Sequence, residues 1–170
     1  MKPSELFVGI DPGFFGAVAV LTSEKKLVKI VDTPITEVKK GKKHQHVYLP
    51  RTMAQVLIDI ANEGTVGMVG LELVGAMPGQ GTHSMFVMGE GVGIWRGIIA
   101  ALGLPLERVT PQAWKKEMLG KGSGFDKSAS IVRAQMLFPQ AAPMLTRKKD
   151  DGRAEALLLA EFVRRRFQGA

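Results

Sequence analysis

Acidic residues stand at three places in this sequence where an unpaired charge would be costly. Asp11 follows a short apolar run, and Glu72 interrupts another one. Asp150, Asp151 and Glu155 open the last helical segment, where Asp151 and Glu155, four apart, share one helix face. Buried carboxylates need a partner or a metal, and magnesium prefers oxygen ligands. The pattern predicts a two-magnesium site that activates water against a phosphodiester.

Each acid also has a purely structural explanation. An aspartate before Pro-Gly often caps a turn, which would account for Asp11. Glu72 could end its strand facing solvent. Asp150 or Asp151 could cap the last helix while Glu155 is exposed. The sequence leaves open which of Asp150 and Asp151 would bind metal.

The elements that must position these acids follow from hydrophobic periodicity and turn residues. Strands are predicted over 6–10, 16–21, 27–31, 66–74 and 106–110. Helices are predicted over 49–61, 84–102, 111–119, 127–137 and 151–167, and loops over 37–46, 75–81 and 120–124. Together they indicate an α/β fold: a mixed five-stranded sheet, three antiparallel strands then parallel ones, flanked by helices, in a single domain over 1–170.

The helix over 84–102 contains glycines at 89, 91, 93 and 97. Each glycine disfavours a helix by roughly 1 kcal/mol relative to alanine. The alternative benefit is that glycines allow another backbone to pack closely against the helix.

Composition bounds the function. The net charge of +7 favours a polyanionic partner, most commonly nucleic acid. With no cysteine, disulfides, zinc–cysteine sites and thiol nucleophiles are excluded. Neither a signal peptide nor a membrane-spanning apolar run is evident, so we expect a cytoplasmic protein that does not contact membranes.

Basic and aromatic residues supply candidates for DNA binding, each with a structural alternative. The predicted loop over 37–46 carries lysines that either clamp phosphates or are simply solvated. Phe86 is the best candidate for a wedge into DNA, whereas Trp95 and Trp114 are expected in the core. The candidate DNA-contacting residues are Lys39, Lys40, Lys42, Lys43, Phe86, Lys116, Arg147, Lys148 and Lys149.

Five segments, in order, resemble the RuvC-type Holliday junction resolvases of the RNase H-like superfamily. They are Gly9-Ile10-Asp11-Pro12-Gly13 with the following Gly16-Ala17-Val18-Ala19, Glu72 in its apolar run, Pro111-Gln112-Ala113-Trp114-Lys115, Gly122-Ser123-Gly124-Phe125-Asp126-Lys127-Ser128, and the acidic segment 151–160. The four-residue spacing of Asp151 and Glu155 departs from the three-residue spacing of the better-known bacterial enzymes. In this it resembles the phage-encoded branch, whose members accept a wider range of branched DNA.

The resemblance implies an RNase H-like fold, a homodimer and metal-dependent hydrolysis of four-way DNA junctions that leaves 5′-phosphate nicks. Two Mg²⁺ ions per site, replaceable by Mn²⁺, would be held by Asp11, Glu72, Asp151 and Glu155, with Asp150 as the rival of Asp151. Lys115 and Lys127 would lie near the scissile phosphate, and the segment 75–86 would face the junction centre.

Other functions fit part of the sequence. One is a nuclease of the same fold that cuts RNA or RNA–DNA hybrid, as in the YqgF family. Another is a DNA-junction-binding protein without catalysis, although four acids in the expected places disfavour it. A phosphate-binding domain of an actin-like ATPase ranks low, because the chain lacks a second lobe to enclose a nucleotide.

Overall fold

The computed structural model describes residues 4–75, 79, 81–120 and 127–168. The strands are β1 (Glu5–Ile10), β2 (Ala17–Thr22), β3 (Leu27–Asp32), β4 (Ile35–Lys40), β5 (Lys43–Tyr48), β6 (Thr65–Glu72) and β7 (Leu106–Val109). The helices are α1 (Pro50–Glu63), α2 (Thr82–Ala101), α3 (Pro111–Leu119), α4 (Lys127–Leu137) and α5 (Asp151–Phe167). Two 3₁₀ segments that were not predicted, Pro139–Met144 and Lys148–Asp150, connect α4 to α5.

Five strands form one mixed sheet in the order β3-β2-β1-β6-β7. The pairs β1–β2 and β2–β3 are antiparallel, whereas β1–β6 and β6–β7 are parallel. The predicted α/β class and the mixed five-stranded sheet flanked by helices are therefore confirmed. The carboxyl ends of β1, β6 and β7 meet at one edge of the sheet, which is where Asp11 and Glu72 lie.

The prediction of a loop over 37–46 is wrong. These residues belong to a β-hairpin, β4–β5, that forms a separate two-stranded sheet. Lys40 pairs with Lys43 across the turn, where Gly41 has a left-handed φ of 64°. Most side chains on both strands are exposed, so no apolar alternation marks them as strands. We call Lys39, Lys40, Lys42 and Lys43 the hairpin tip.

Two hydrophobic clusters occupy the two faces of the five-stranded sheet, because alternate side chains of β1 point in opposite directions. Phe7 belongs to a cluster with α5 and Trp114 of α3. Leu6 and Val8 belong to the other cluster, with α1 and with Trp95 of α2. Both tryptophans are fully buried, as predicted.

Glycines let α5 lie directly on the sheet. A Cβ atom added to Gly9 of β1 would stand 2.1 Å from the carbonyl oxygen of Ala156. At the start of α5, a Cβ atom on Gly152 would stand 2.2 Å from the carbonyl oxygen of Phe15. The first turn of α5 is therefore fixed by backbone contact against the β1–β2 turn, and its acids are held close to Asp11.

Helix α2 forms despite its glycines. Nothing lies within 4 Å of the positions where Gly89, Gly93 and Gly97 would carry a Cβ atom, and all three are exposed.

None of the described helices is long and apolar enough to cross a membrane. Most of the predicted loops over 75–81 and 120–124 lie outside the described residues.

Candidate active site

Asp11 and Glu72 lie side by side at the carboxyl edge of the sheet. Ile10 of β1 pairs in parallel with Leu71 of β6, and each acid directly follows its paired residue. Neighbouring strands are about 4.8 Å apart. The register therefore places two carboxylates on adjacent strands, both emerging at the same end.

The turn after β1 fixes the Asp11 carboxylate. The backbone N–H of Gly13 donates to Asp11 Oδ1 at 3.1 Å, and the N–H of Asp11 donates to the carbonyl of Ala17 at 3.0 Å. A Cβ atom on Gly16 would stand 2.1 Å from the Asp11 carbonyl oxygen, so the turn tolerates no larger residue there. The turn-capping explanation of Asp11 is thus correct in itself, yet it leaves the carboxylate beside Glu72.

Glu72 is 8% exposed and accepts a hydrogen bond from a tryptophan. The Nε1–H of Trp114 donates to Glu72 Oε1 at 2.9 Å. Trp114 follows the start of α3, where the Thr110 side chain accepts from the N–H of Ala113. Sequence reasoning placed Trp114 only in the core, because a contact between residues 42 apart leaves no local signal.

Glu155 connects α5 to two other helices. Lys115 Nζ of α3 lies 2.9 Å from Glu155 Oε1. The same oxygen accepts a hydrogen bond from the Oγ of Ser130, a buried residue of α4, at 3.2 Å. Lys115 therefore lies beside one of the predicted acids, and its approach to the scissile phosphate stays a prediction. The contribution of Ser130 was not predicted.

The two neighbouring aspartates at the start of α5 have different surroundings. Asp150 is 3% exposed, and its carboxylate accepts hydrogen bonds from the side chain and backbone N–H of Arg147, at 2.6–3.2 Å. These bonds hold the pKa of Asp150 below its usual range. Asp151 instead lines a cleft together with Asp11. The geometry therefore favours Asp151 over Asp150 as the acid that belongs to the site.

Electrostatic coupling shows that the acids act on one another. Burial and the Glu72 charge raise the pKa of Asp11 from 3.8 to about 7, with smaller contributions from Glu155 and Asp151 and an opposing one from the Gly13 hydrogen bond. Burial also raises the pKa of Glu72, although Trp114 opposes the change. A cluster of this kind is relieved by a proton or a cation.

The donor set fits a hard divalent cation, because it consists of carboxylates with no thiol. Among the described residues, no three acids or histidines are already oriented around one point as ligands. Two of the acids have protein partners: Glu155 Oε1 contacts Lys115, and Glu72 Oε1 accepts from Trp114.

An open cleft of about 750 Å³ leads to two of these acids, Asp11 and Asp151. Asp11 and Asp151 line one part of it, Lys148 and Lys149 another, and the first turns of α2 with His83 face them. Acids that suit a cation thus lie beside lysines that suit a polyanion. The juxtaposition is that expected where a phosphate approaches a metal.

The other predicted DNA-contacting residues do not line this cleft. The side chains of the hairpin tip are exposed, as is Lys116 on α3. Phe86 on α2 is 73% exposed. Arg147 is engaged with Asp150, which limits its freedom to contact DNA. The side chain of Lys127 and part of the segment 75–86 lie outside the described residues.

Solved structures of known proteins share the fold described above. Thermus thermophilus RuvC in complex with a Holliday junction substrate superposes with a TM-score of 0.59 at 14% identity, over 92% of this chain and 90% of that chain. The yeast mitochondrial Holliday junction resolvase Ydc2 superposes with a TM-score of 0.54 at 15% identity, over 97% of this chain and 80% of that chain. Identities this low show the fold alone: this chain has the fold of the RuvC and Ydc2 structures.

One curated relative is similar in sequence. The chloroplastic Holliday junction resolvase MOC1 of Chlamydomonas reinhardtii is 33% identical over 93 residues, which are 55% of this chain. The matched part is 10% of the relative, so the chain spans about a tenth of its length. No protein-family model matches the chain. The resemblance to RuvC-type resolvases that the sequence motifs predicted is confirmed.

Proposed function

We propose that this protein is a magnesium-dependent, structure-selective endonuclease that cuts four-way DNA junctions and related branched DNA, leaving 5′-phosphate nicks. The observation that carries the proposal is the placement of Asp11 beside Glu72. Burial and the Glu72 charge raise the pKa of Asp11 to about 7, and Glu155 and Asp151 lie close enough to add to that increase. The RuvC-type fold and the sequence similarity to a Holliday junction resolvase support the choice of substrate.

Each acid has a role in the proposal. Asp11, Glu72, Asp151 and Glu155 would hold two Mg²⁺ ions, or Mn²⁺ in their place. When bound, the metal would supply an activated water and neutralise charge on the phosphodiester.

The residues around the acids would hold the carboxylates in place and neutralise their charge or that of the phosphate. Trp114 keeps an oxygen of Glu72 fixed through the 2.9 Å hydrogen bond. Lys115 neutralises Glu155 through their 2.9 Å ion pair and would lie near the scissile phosphate. Lys127 would also approach a phosphate.

Charge on the surface supports DNA as the substrate. Lys148 and Lys149 in the cleft would contact phosphates next to the cut, and the hairpin tip would contact a DNA arm further away. Such contacts add affinity without choosing sequence. Phe86 would lie toward the branch point.

A homodimer would give paired, symmetric nicks, and we propose that it forms through α2. The exposed face with Gly89, Gly93 and Gly97 lets a second helix approach closely. Gly93→Leu is expected to fill this face and yield a monomer. Light scattering after size exclusion measures the mass, and a wild-type monomer would contradict the proposal.

The test is nicking of a labelled four-way junction, compared with linear duplex of the same sequence and with an RNA junction. Reactions contain Mg²⁺ or chelator, with wild-type protein or Asp11→Asn. We expect Mg²⁺-dependent paired nicks near the branch point that Asp11→Asn abolishes. Junction binding without cutting in any divalent metal would refute catalysis, and preferential cutting of RNA would refute the substrate.

A further inference from the structure

Phe15 is a large apolar side chain that the fold leaves in solvent. It is 70% exposed, although it follows a strand whose apolar residues are all buried. It lines the open cleft together with Asp11 and Asp151. Neither the acids nor the lysines of the proposed mechanism need an aromatic ring at this place.

The ring is mounted on a rigid support. The carbonyl oxygen of Phe15 lies 2.2 Å from where Gly152 would carry a Cβ atom, so its backbone is pressed against the start of α5. Gly16, next in the chain, donates to the carbonyl of Gly13 within the turn. The Phe15 backbone therefore has little freedom relative to Asp151.

The ring also has an aromatic neighbour on one side. His46 of the hairpin meets Phe15 nearly perpendicularly, at 84°, with 5.3 Å between ring centroids. His46 also contacts Phe14, whose ring lies 4.4 Å from that of Tyr48. His46 thus supports the Phe15 ring from the protein side, and Phe14 in turn contacts His46, while most of the surface of Phe15 remains open.

The charges around the ring indicate what it contacts. A nucleotide whose phosphate lies between the acids and Lys148 or Lys149 has its base within one sugar of that phosphate. A ring at the same cleft can then meet the base, and every nucleobase offers a π face. In a duplex both faces are covered by neighbouring pairs, so the base must be unpaired or at a branch.

We infer that Phe15 is a stacking platform for an unpaired nucleobase next to the phosphate that is cut. The inference rests on the proposed nuclease function and adds a specificity-determining residue to it. By holding a base that is free only near a branch, Phe15 favours branched DNA over duplex. Stacking on an aromatic side chain accounts for about a five- to 150-fold change per base.

The test combines a protein change with a substrate change. After the wild-type cut is mapped on a four-way junction, the nucleotide on each side of it is replaced in turn by an abasic residue. Wild-type, Phe15→Ala, Phe15→Leu and Phe15→Trp proteins are compared for cleavage of each substrate. Met136→Ala is the matched control, because Met136 is 67% exposed but lies on α4, away from the cleft.

Phe15→Ala and Phe15→Leu should each reduce cleavage of the intact junction about five- to 150-fold, whereas Phe15→Trp and Met136→Ala should not. At one abasic position, Phe15→Ala should cause no further loss, because the stacked partner is already gone. Independent losses at both positions, or full activity of Phe15→Leu, would overturn the inference.

Binding provides a readout that does not depend on catalysis. A junction carrying 2-aminopurine at the position identified is titrated with protein in chelator. Wild-type protein should change the fluorescence, and Phe15→Ala should bind without that change. Wild-type cleavage with no such difference overturns the role of Phe15 alone. Absence of both binding and cleavage by the wild-type protein overturns the proposed function as well.

Discussion

Trp114→Phe removes the hydrogen bond that holds Glu72 while keeping an aromatic ring in the core. A hydrogen bond to a charged group contributes about 1.5–3 kcal/mol, or about 10- to 150-fold. The indole N–H opposes the increase in the Glu72 pKa that burial causes. Its loss should raise that pKa further and leave less of the ionised, metal-binding form at a given pH.

The expected result is a change in the pH and magnesium dependence of cleavage. The acid limb of the rate profile should move to higher pH, because Glu72 must lose its proton before it binds metal. At fixed pH below the new limb, the Mg²⁺ concentration for half-maximal cleavage should increase about tenfold or more. Both effects are measured by the rate of junction cleavage between about pH 5.5 and about pH 9, at several Mg²⁺ concentrations.

A second buried tryptophan supplies the control. Trp95 is also fully buried, but its Nε1 has no hydrogen-bond partner among the described residues. Trp95→Phe therefore causes the same loss of volume without removing a hydrogen bond. If the two variants have the same pH profile and magnesium requirement, Trp114 only fills space and the reasoning is refuted.

Three further predictions concern stability and DNA binding. In chelator, the free energy of unfolding should fall as pH rises from about 4 to 7, because the raised pKa of Asp11 makes the folded state bind more protons than the unfolded state. Asp11→Asn should remove at most about 4 kcal/mol of this loss and should therefore raise the Tm at pH 8. An unchanged Tm at pH 8 would contradict this prediction. Gly9→Ala should lower the free energy of unfolding in urea by about 3 kcal/mol or more, because the added Cβ would overlap the Ala156 carbonyl. Gly75→Ala is the control: Gly75 has open space around it, so the free energy of unfolding should change by less than about 0.5 kcal/mol. Replacing the hairpin tip lysines with glutamine should reduce the slope of log binding constant against log salt concentration, measured for a junction, by about 0.9 per lost phosphate contact. Lys26→Gln, in the β2–β3 turn of the other sheet, should leave the slope unchanged. A hairpin-tip variant with the wild-type slope would show that the tip is merely solvated.

Much of the fold could be predicted from the sequence, because buried strands and amphipathic helices leave a period in the chain. The bounds of α3, α4 and α5 agree with the prediction to the residue. The β4–β5 hairpin was missed for the opposite reason. It is held by backbone hydrogen bonds between largely exposed strands, so its lysines read as a loop.

The candidate site, like the fold, could be predicted only in part from the sequence. Acidic residues within apolar runs can be recognised in the sequence, because burying an unpaired carboxylate costs free energy and so indicates a partner or a metal. What orients each acid is not visible, because it depends on distant parts of the chain. Arg147 distinguishes Asp150 from Asp151 by hydrogen bonds to a residue only three positions away. Trp114 contacts Glu72, and Ser130 contacts Glu155, only after the helices have packed against one another and the sheet.

The contact between α5 and β1 has a consequence for biosynthesis. Asp11 is translated early, whereas Asp151 and Glu155 follow about 140 residues later. Non-local contacts of this kind form late and slowly. A ribosome-bound chain that has not yet released α5 carries the lysines of the hairpin but not a complete set of acids. The basic surface is therefore made before the acidic cluster is complete, so the proposed metal site can form only when α5 docks against β1.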